Sequence, residues 1–568
     1  MKDIIKQAVD RALEEMQLPE TPDYVIEKPK DPAHGDLAVN AAFLLARVLR
    51  RKPALIAEDI AGRLKFDKDF VDCVEVAPNG FLNFRISPVW SFGQLSAIQR
   101  EGDKYGRGNE LEGHKVVVEF VSSNPTGPLT IGHGRQAALG DVLCSLLAAR
   151  GADVTREYYY NDAGNQMNIL GHSLRARYIQ RHDPAFPFPE NGYQGEYLLE
   201  IAAEFDNEHG PKYLPANAAE AVDEESLRIF REYAAERIRR MIDEDLQNFK
   251  LTFDVWSLES DLYRKDQHEG PEDKPKSRID KLLGLLHDKG LSYEKEGAVW
   301  CKTSEYGDDE DRVIVKSTGE PTYFLPDLAY HLNKHERGFD EAINIHGADH
   351  HGYVPRMTAG IRMLGYPDHW LRYVIHQMVS FTEGGEQIKM STRAGKFITL
   401  AELCREVGVD VARYFFVMRK ADSHLVFDLD LARKHSNENP VYYCQYVHAR
   451  TCNLTPTARE AGVWDGNRQS WRGHEPSLLK EREEVELAVH LAAYPALVER
   501  VAHALSPHLL TEHLEELAGL FHAWYQKHRI VDSAAPELSR DRLYLADCVR
   551  RVMANGLELL GITAPEKM

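Results

Sequence analysis

The sequence predicts a multidomain fold: a central α/β domain built on a parallel sheet with a helical insertion, a small α+β domain before it, and an all-α domain after it. Three observations carry this. Residues 115–160 run strand, helix, strand, with apolar "KVVVEFV", a helical stretch from Arg135 to Arg150, then "DVTREYYY", and that order is a βαβ unit. The first 108 residues combine helical periodicity with one hairpin pattern. From 401 to 568, helical patterns follow one another without a strand between them. A chain of 568 residues has room for about three or four domains.

In chain order, Ile4, Ile5, Ala8, Val9, Ala12, Leu13 and Met16 fall on one face of an N-terminal helix, because apolar residues three and four apart share a helix face. A second helix follows "PKDPAHGD", and "VDCVEVAPNGFLNFRIS" alternates as a hairpin about Asn79-Gly80. "GDKYGRGNELEGHK" reads as the linker, so the first domain spans 1–108. The α/β domain spans 109–400. Its stretch from about 165 to 290 is charged and helical, as an insertion would be, and the sheet resumes with "EAINIHG" (341–347) and "WLRYVIHQMVSFT" (370–382). Helices such as "TEHLEELAGLFHAWYQKHRIV" fill the last domain, 401–568.

Composition sets limits on function. Seven cysteines without a CxxC pair fit reduced thiols in a cytosol, not a disulfide scaffold or a cysteine zinc site. No apolar run approaches the roughly 18 residues that span a bilayer, and the amphipathic N-terminus carries acids that a secretory signal lacks. The net charge of −20 is not the footprint of a nucleic-acid binder, although a basic face can coexist with acidic surface elsewhere.

Four constellations carry possible chemistry. In "NPTGPLTIGHGR" a strand, a Gly/Pro loop and a helix N-terminus form an anion site, with Gly132 allowing close approach and His133 as a donor to phosphate, not a base. No Ser, Cys or acid stands beside His133, so a nucleophile–base pair is not indicated; a plain loop histidine is the bland alternative. "QIKMSTRAGKFITL" places Lys389, Arg393 and Lys396 in a loop able to neutralise polyphosphate charge, or to be a solvated basic turn. "NIHGADHHGY" offers His346, Asp349, His350 and His351, a pattern like a metal cluster. Adjacent histidines point apart and no second cluster completes a site, so no metal ligands are assigned. In "NPVYYCQYVHAR", Tyr443 and Tyr446 share a helix face near His448 and Arg450, as base-stacking aromatics do and as core aromatics do too.

Together these motifs resemble class I aminoacyl-tRNA synthetases, and specifically arginyl-tRNA synthetases of bacterial type. "TIGH" is similar to that class's HIGH signature and "KMSTR" to its KMSKS signature. "PKDPAHGDLAVNAAFLLA" and "APNGFLNF" resemble the family's N-terminal domain, "EFVSSNPTGPL" and "GADHHGYVPRM" its catalytic core, and "NPVYYCQYVHAR" with "GLELLGITAPEKM" its anticodon-binding domain. The resemblance implies a Rossmann-type catalytic domain and the joining of L-arginine to tRNA(Arg) with ATP and Mg2+, through an arginyl-adenylate. It implies a cytoplasmic monomer with no membrane partner. The arginine carboxylate is itself the nucleophile, which accounts for the missing triad.

Residue by residue, the resemblance makes His133, Lys389 and Arg393 catalytic and puts Thr130, Gly132, His133, Lys389, Met390 and Ser391 on ATP. Glu119, Ser122 and Asn124 would hold the α-amino and carboxylate end of arginine, and Tyr323, Asp327 and Asp349 its side chain, since a guanidinium calls for carboxylates. Asp327, just after Pro326, also suits a helix N-cap. Tyr443, Tyr446 and Met568 would meet tRNA. Two positions depart from the signatures: Thr130 stands for the first His of HIGH and Thr392 for the second Lys of KMSKS, which shifts charge compensation onto other groups. Rival readings are a synthetase for another amino acid, a metal-dependent hydrolase using His346–His351, and a non-catalytic RNA-binding paralogue.

Overall fold

The computed structural model describes residues 1–18, 21–29, 31, 34–67, 69–215, 223–265, 276–388 and 399–568. At the N-terminus, helix Lys2–Glu15 buries Ile5, Val9, Ala12 and Leu13. It belongs to the same apolar core as the strands Leu37–Val39 and Leu82–Ile86. The hairpin forms as its alternation predicts, Val71–Val76 antiparallel to Leu82–Ile86. Gly80 takes φ 89° there, and a Cβ would strike Pro53, so glycine is required at that turn.

The central sheet has five parallel strands: β1 (Lys115–Glu119), β2 (Asp153–Tyr160), β3 (Val255–Leu258), β4 (Glu341–Gly347) and β5 (Leu371–His376). Their spatial order is β5-β4-β1-β2-β3. The direction of winding reverses between β1 and β4, and doubly wound sheets bind ligands in the crevice at that switch point. Helix α1 (Ile131–Ala149) follows β1 and helix α2 (Phe324–Glu336) precedes β4.

Two sequence expectations need correction. The stretch 165–290 is not only a helical insertion, because "VWSL" within it supplies β3 at the sheet edge. The stretch 370–382 is two strands, not one: β5 ends at His376, and Val379–Glu383 pairs in parallel with Leu425–Asp428 in a separate sheet. That pairing also joins residues 425–428, expected in the C-terminal domain, to the catalytic side. Helix Val409–Val417 packs likewise on α1.

One buried side chain fastens three parts of the chain. The fully buried Arg413 donates from Nη2 to Asp141 Oδ2 of α1 (2.5 Å), from Nη1 to the carbonyl of Phe249 (3.1 Å) and from Nε to that of Leu560 (3.2 Å). Gly561, at φ 67°, makes room for it: a Cβ there would lie 2.2 Å from Nη2. Losing one partner of a buried ion pair costs about 3–5 kcal/mol because the other charge stays buried. Arg413→Met is therefore expected to lower the urea midpoint of the whole chain without changing the m-value. An unchanged midpoint would show that Arg413 is not a fastening.

Candidate active site at the switch-point crevice

β1 ends abruptly. Val121 (φ 68°) and Ser122 (φ 37°) are both left-handed, and Ser122 N–H donates to the carbonyl of Phe120 at 2.9 Å. For a β-branched residue this is strained backbone, of the kind that gathers at ligand sites. The turn is held because Ser122 Oγ accepts from Tyr159 N–H (3.1 Å) and donates to Glu119 Oε1 (3.1 Å).

Glu119 is buried and does not stand alone. Its Oε2 accepts from Lys334 Nζ at 2.6 Å, and Lys334, fully buried, also donates to Asn344 Oδ1 at 3.1 Å. Asn344 Nδ2 in turn meets His331 Nε2 at 2.9 Å. Burial opposes ionisation of Glu119, but Lys334, with His346 and His331, outweighs it and holds the carboxyl down at about 2. Lys334 is thus a site residue that the sequence did not single out; nothing in "HLNKHE" marks it except its place one helix turn beyond Tyr330.

Asp327 lies in the first turn of α2, but the helix starts at Phe324 with Tyr323 in the capping position. Asp327 is therefore not an N-cap. Its Oδ2 accepts from Tyr353 OH at 2.6 Å. Burial, then the charges of Glu119 and Glu259, push its carboxyl up to about 7 against the pull of Tyr353 and Lys334. Glu259, at the end of β3, is likewise buried and raised, by burial and by Asp162. It too escaped sequence reading, because it follows a strand too short to be recognised. The pocket therefore holds Glu119, Asp327 and Glu259 with Lys334 as counter-cation.

Across the crevice, Thr130 caps α1 and His133 sits at its third position. Thr130 N–H donates to His133 Nδ1 at 3.1 Å, and Thr130 Oγ1 lies 3.3 Å from the same nitrogen. Nδ1 is thus the acceptor and the ring proton belongs on Nε2. Burial lowers the imidazole to about 4, so the ring is neutral at pH 7. The free N–H groups of the helix start and the Nε2–H make a dipolar anion site.

The residues that follow the second signature meet the first one. Leu400 N–H donates to the carbonyl of Leu129 at 2.9 Å and Thr399 bridges to Thr130. Lys389, Met390, Ser391, Thr392, Arg393 and Lys396 lie outside the described residues. Of the other candidates, Gly132 stays in the first turn of α1, while Asn124 and Tyr323 are exposed. Asp349 is exposed as well, and its Oδ1 lies beside Gly347 rather than Asp327. The rings of His346 and His350 lie 5.0 Å apart, tilted by 32°. Among the described residues only Glu110, Glu499 and His503 bring three potential ligand atoms together. Glu110 binds Arg150, the C-cap of α1, about 28 Å from the crevice end of that helix at 1.5 Å per residue.

In the helical domain, Tyr443 and Tyr446 of helix Pro440–Glu460 both stack on His522, at 4.8 and 5.8 Å. Arg450 lies over Tyr446 and Tyr525 at 5.3 and 4.1 Å. Tyr446, Arg450, Tyr525, Arg529 and Met568 line one cleft of about 430 Å³. The tail leading to Met568 is tied to this helix through His448 Nδ1 and the carbonyl of Pro565 (2.9 Å).

Comparison with known proteins agrees with this arrangement. Family models match residues 3–86 (arginyl tRNA synthetase N terminal domain), 94–430 (class I (R) tRNA synthetase catalytic domain) and 444–568 (DALR anticodon binding domain). The arginine–tRNA ligase of Oceanobacillus iheyensis is 44% identical over 97% of this chain and 95% of its own length. That of Anoxybacillus flavithermus is 45% identical over 100% and 98%. The Thermus thermophilus arginyl-tRNA synthetase structure, 23% identical, superimposes over both whole chains with a TM-score of 0.72, a likeness of fold.

The tautomer of His133 yields an expected outcome in the free protein. Its folded value lies below the ordinary 6.5, so the folded state prefers the neutral ring. Its contribution to stability is whole above pH 6.5 and declines as pH falls toward 4, where the unfolded chain takes a proton that the folded one refuses. NMR titration should find the His133 ring neutral, protonated at Nε2, from pH 8 to 5. A midpoint near 6.5 would refute the capping arrangement.

Proposed function

The chain belongs to the arginyl-tRNA synthetase family and joins arginine to tRNA with ATP, and we propose that the crevice divides this work between a cation pocket and an anion site. The observation that carries the proposal is the pocket of three carboxylates, Glu119 and Glu259 buried and Asp327 half-buried, with one buried ammonium. A guanidinium supplies the missing positive charge and five donors. Asp327 and Glu259 take the guanidinium. Glu119, already neutralised by Lys334, shapes the α-amino end with Ser122 and Asn124, and Tyr323 closes over the side chain.

ATP then lies with its phosphates at Thr130, Gly132 and His133, the carboxylate of arginine attacks the α-phosphorus, and arginyl-adenylate and pyrophosphate form. His133 Nε2–H and the helix amides stabilise charge that grows on the phosphate oxygens; no protein group takes a proton. Lys389, Met390, Ser391 and Arg393 are proposed to complete the phosphate contacts. The described residues build no magnesium site at this crevice, so Mg2+ is proposed to arrive on the phosphates of ATP, and no step is routed through it. The acceptor tRNA is tRNA(Arg), held at its anticodon by the cleft of Tyr446 and Met568. We propose a cytoplasmic monomer; no helix among the described residues is long and apolar enough to cross a membrane.

The test is arginine-dependent ATP–pyrophosphate exchange with each amino acid, with and without tRNA. Arginine alone should support it; equal exchange with other amino acids would overturn the pocket assignment. Asp327 adds a pH signature. Its carboxyl sits near 7 in the free enzyme and must ionise to pair with a guanidinium, so arginine binding releases a proton. The KM for arginine should fall as pH rises from about 6 to 8. Asp327→Asn should raise that KM by about 3–5 kcal/mol equivalent, through an unpaired buried cation, and erase the pH dependence while sparing ATP binding. A variant that keeps both would make Asp327 a scaffold residue.

The helical domain gives a paired expectation. Tyr446→Ala should weaken tRNA binding by about 1–3 kcal/mol at unchanged melting temperature. Tyr443→Ala, whose ring is half-buried against His522, should lower the melting temperature first. Tyr446→Ala with normal tRNA affinity would return this helix face to a core role.

A further inference from the structure

The stretch "NPTGPL" (124–129) joins the two halves of the crevice. At one end stand Ser122 and Asn124, assigned above to the α-amino and carboxylate end of arginine. At the other stand Thr130 and His133, assigned to the phosphates. The path of this backbone therefore sets how far the arginine carboxylate lies from the α-phosphorus. Reaction needs the two atoms within about 3–3.5 Å and aligned, so the loop between them has to be held.

The stretch offers little to hold it by. Pro125 and Pro128 have no N–H to donate, and Thr126 N–H is engaged within the stretch, on the carbonyl of Asn124 at 2.8 Å. Anchoring falls to carbonyls. That of Leu129 accepts from Leu400 N–H, and that of Thr126 accepts from Tyr197 OH at 2.6 Å. Among the described residues, Tyr197 is the side chain from outside the stretch that bonds to its backbone.

Tyr197 comes from the helical insertion, 71 residues further along the chain. It opens helix Tyr197–His209, whose Leu198, Ile201 and Phe205 are buried in the main core. That helix packs on helix Asn165–Gln180, which follows β2. The tyrosine ring lies close against two glycines: a Cβ on Gly195 would stand 2.2 Å from it, and one on Gly127 3.2 Å. Burial lifts the phenol above its ordinary value, so the hydroxyl stays a donor. A packed helix thus reaches the loop at its middle, where its own backbone donors are fewest.

We propose that Tyr197 is a positioning residue for arginine activation: its hydroxyl holds the carbonyl of Thr126 so that the carboxylate and the α-phosphorus, bound at opposite ends of one loop, meet in register. This rests on the reading of the crevice given above. Tyr197 touches neither substrate in this arrangement. Its effect therefore falls on the alignment of the two and not on the affinity for either, since a reacting constellation depends on the residues that support it.

The experiment measures ATP–pyrophosphate exchange in the presence of tRNA for the natural enzyme, Tyr197→Phe and Gly195→Ala. Each is also assayed for melting temperature and for the Kd of arginyl-sulfamoyl-adenosine, an unreactive analogue of the adenylate. The analogue spans both ends of the loop and reports their spacing, whereas arginine and ATP each report one end. Tyr197→Phe removes only the hydroxyl. It should lower kcat about tenfold, as loss of one hydrogen bond does, and weaken the analogue by a similar factor. The KM values for arginine and ATP should stay within about twofold, at an unchanged melting temperature. Gly195→Ala, whose added methyl displaces the ring, should give the same split. A merely structural tyrosine would lower the melting temperature and raise both KM values together, and that result overturns the proposal. So does a Tyr197→Phe enzyme with natural kcat and natural affinity for the analogue. A natural enzyme in which the analogue fails to compete with both arginine and ATP would overturn the reading of the crevice itself.

Discussion

A carboxylate buried in protein stays ionised only beside a counter-charge, and the crevice is organised around three carboxylates and a single lysine. Lys334 reaches from α2 to Glu119 on β1 and to Asn344 on β4, so one ammonium links both strands of the switch point to the helix. Glu119 is thereby settled at about 2, while Asp327, with only a tyrosine hydroxyl, is raised to about 7. The difference between them is the lysine, whose ammonium bonds directly to Glu119 and not to Asp327. The pocket thus has two more carboxylates than ammonium groups, and a guanidinium is the side chain that brings a permanent charge with planar donors. Removing Lys334 would leave Glu119 competing with Asp327 for that cation, which is why the pair belongs to the specificity of the site.

The opposite wall works without formal charge in its described part. Thr130, His133 and the first amides of α1 offer dipoles, and the ring of His133 is held neutral by burial, its tautomer set by the capping bond. This gives a reason why Thr130 can stand where the family's signature has a histidine. A hydroxyl and a backbone N–H both engage Nδ1, fixing the one proton that faces a phosphate. Under the proposed reading positive charge comes from Lys389, Arg393 and Lys396, and the chain that follows them meets the same turn through Leu400 and Thr399. Dipoles placed in advance and charges supplied by a second segment together suit a reaction in which charge moves but no proton need be taken.

What could be read from the residues follows periodicity and length. The βαβ unit, β4, the hairpin and the helices of the last domain all have patterns longer than five residues or a strong turn. β3, four residues of "VWSL", has no period to detect, and Glu259 was invisible with it. The break at 376 could not be seen because both pieces are apolar strands; only long-range pairing with 425–428 separates them. The resemblance expects Asp327 on the arginine side chain, and the sequence leaves it open as a helix cap. The start of α2 three residues earlier, with Pro326 tolerated in its first turn, removes the cap alternative. Lys334 and Tyr197 depend wholly on tertiary packing, which no local pattern records.

The net charge of −20 raises a last question, since the partner is a polyanion. Exposed charges are screened over about 8 Å at physiological ionic strength, so distant acids hardly oppose binding once the surfaces touch. What matters is the composition of the contact. The cleft at helix Pro440–Glu460 joins Arg450 and Arg529 to the rings of Tyr446 and Tyr525, with a guanidinium already lying on both rings. Stacking on a base face does not depend on net charge, and an arginine parked on an aromatic is ordered before the nucleic acid arrives. The acidic total therefore weakens non-specific attraction while leaving the cleft proposed for tRNA competent. For an enzyme that must select one tRNA among many polyanions, that balance favours discrimination over raw affinity.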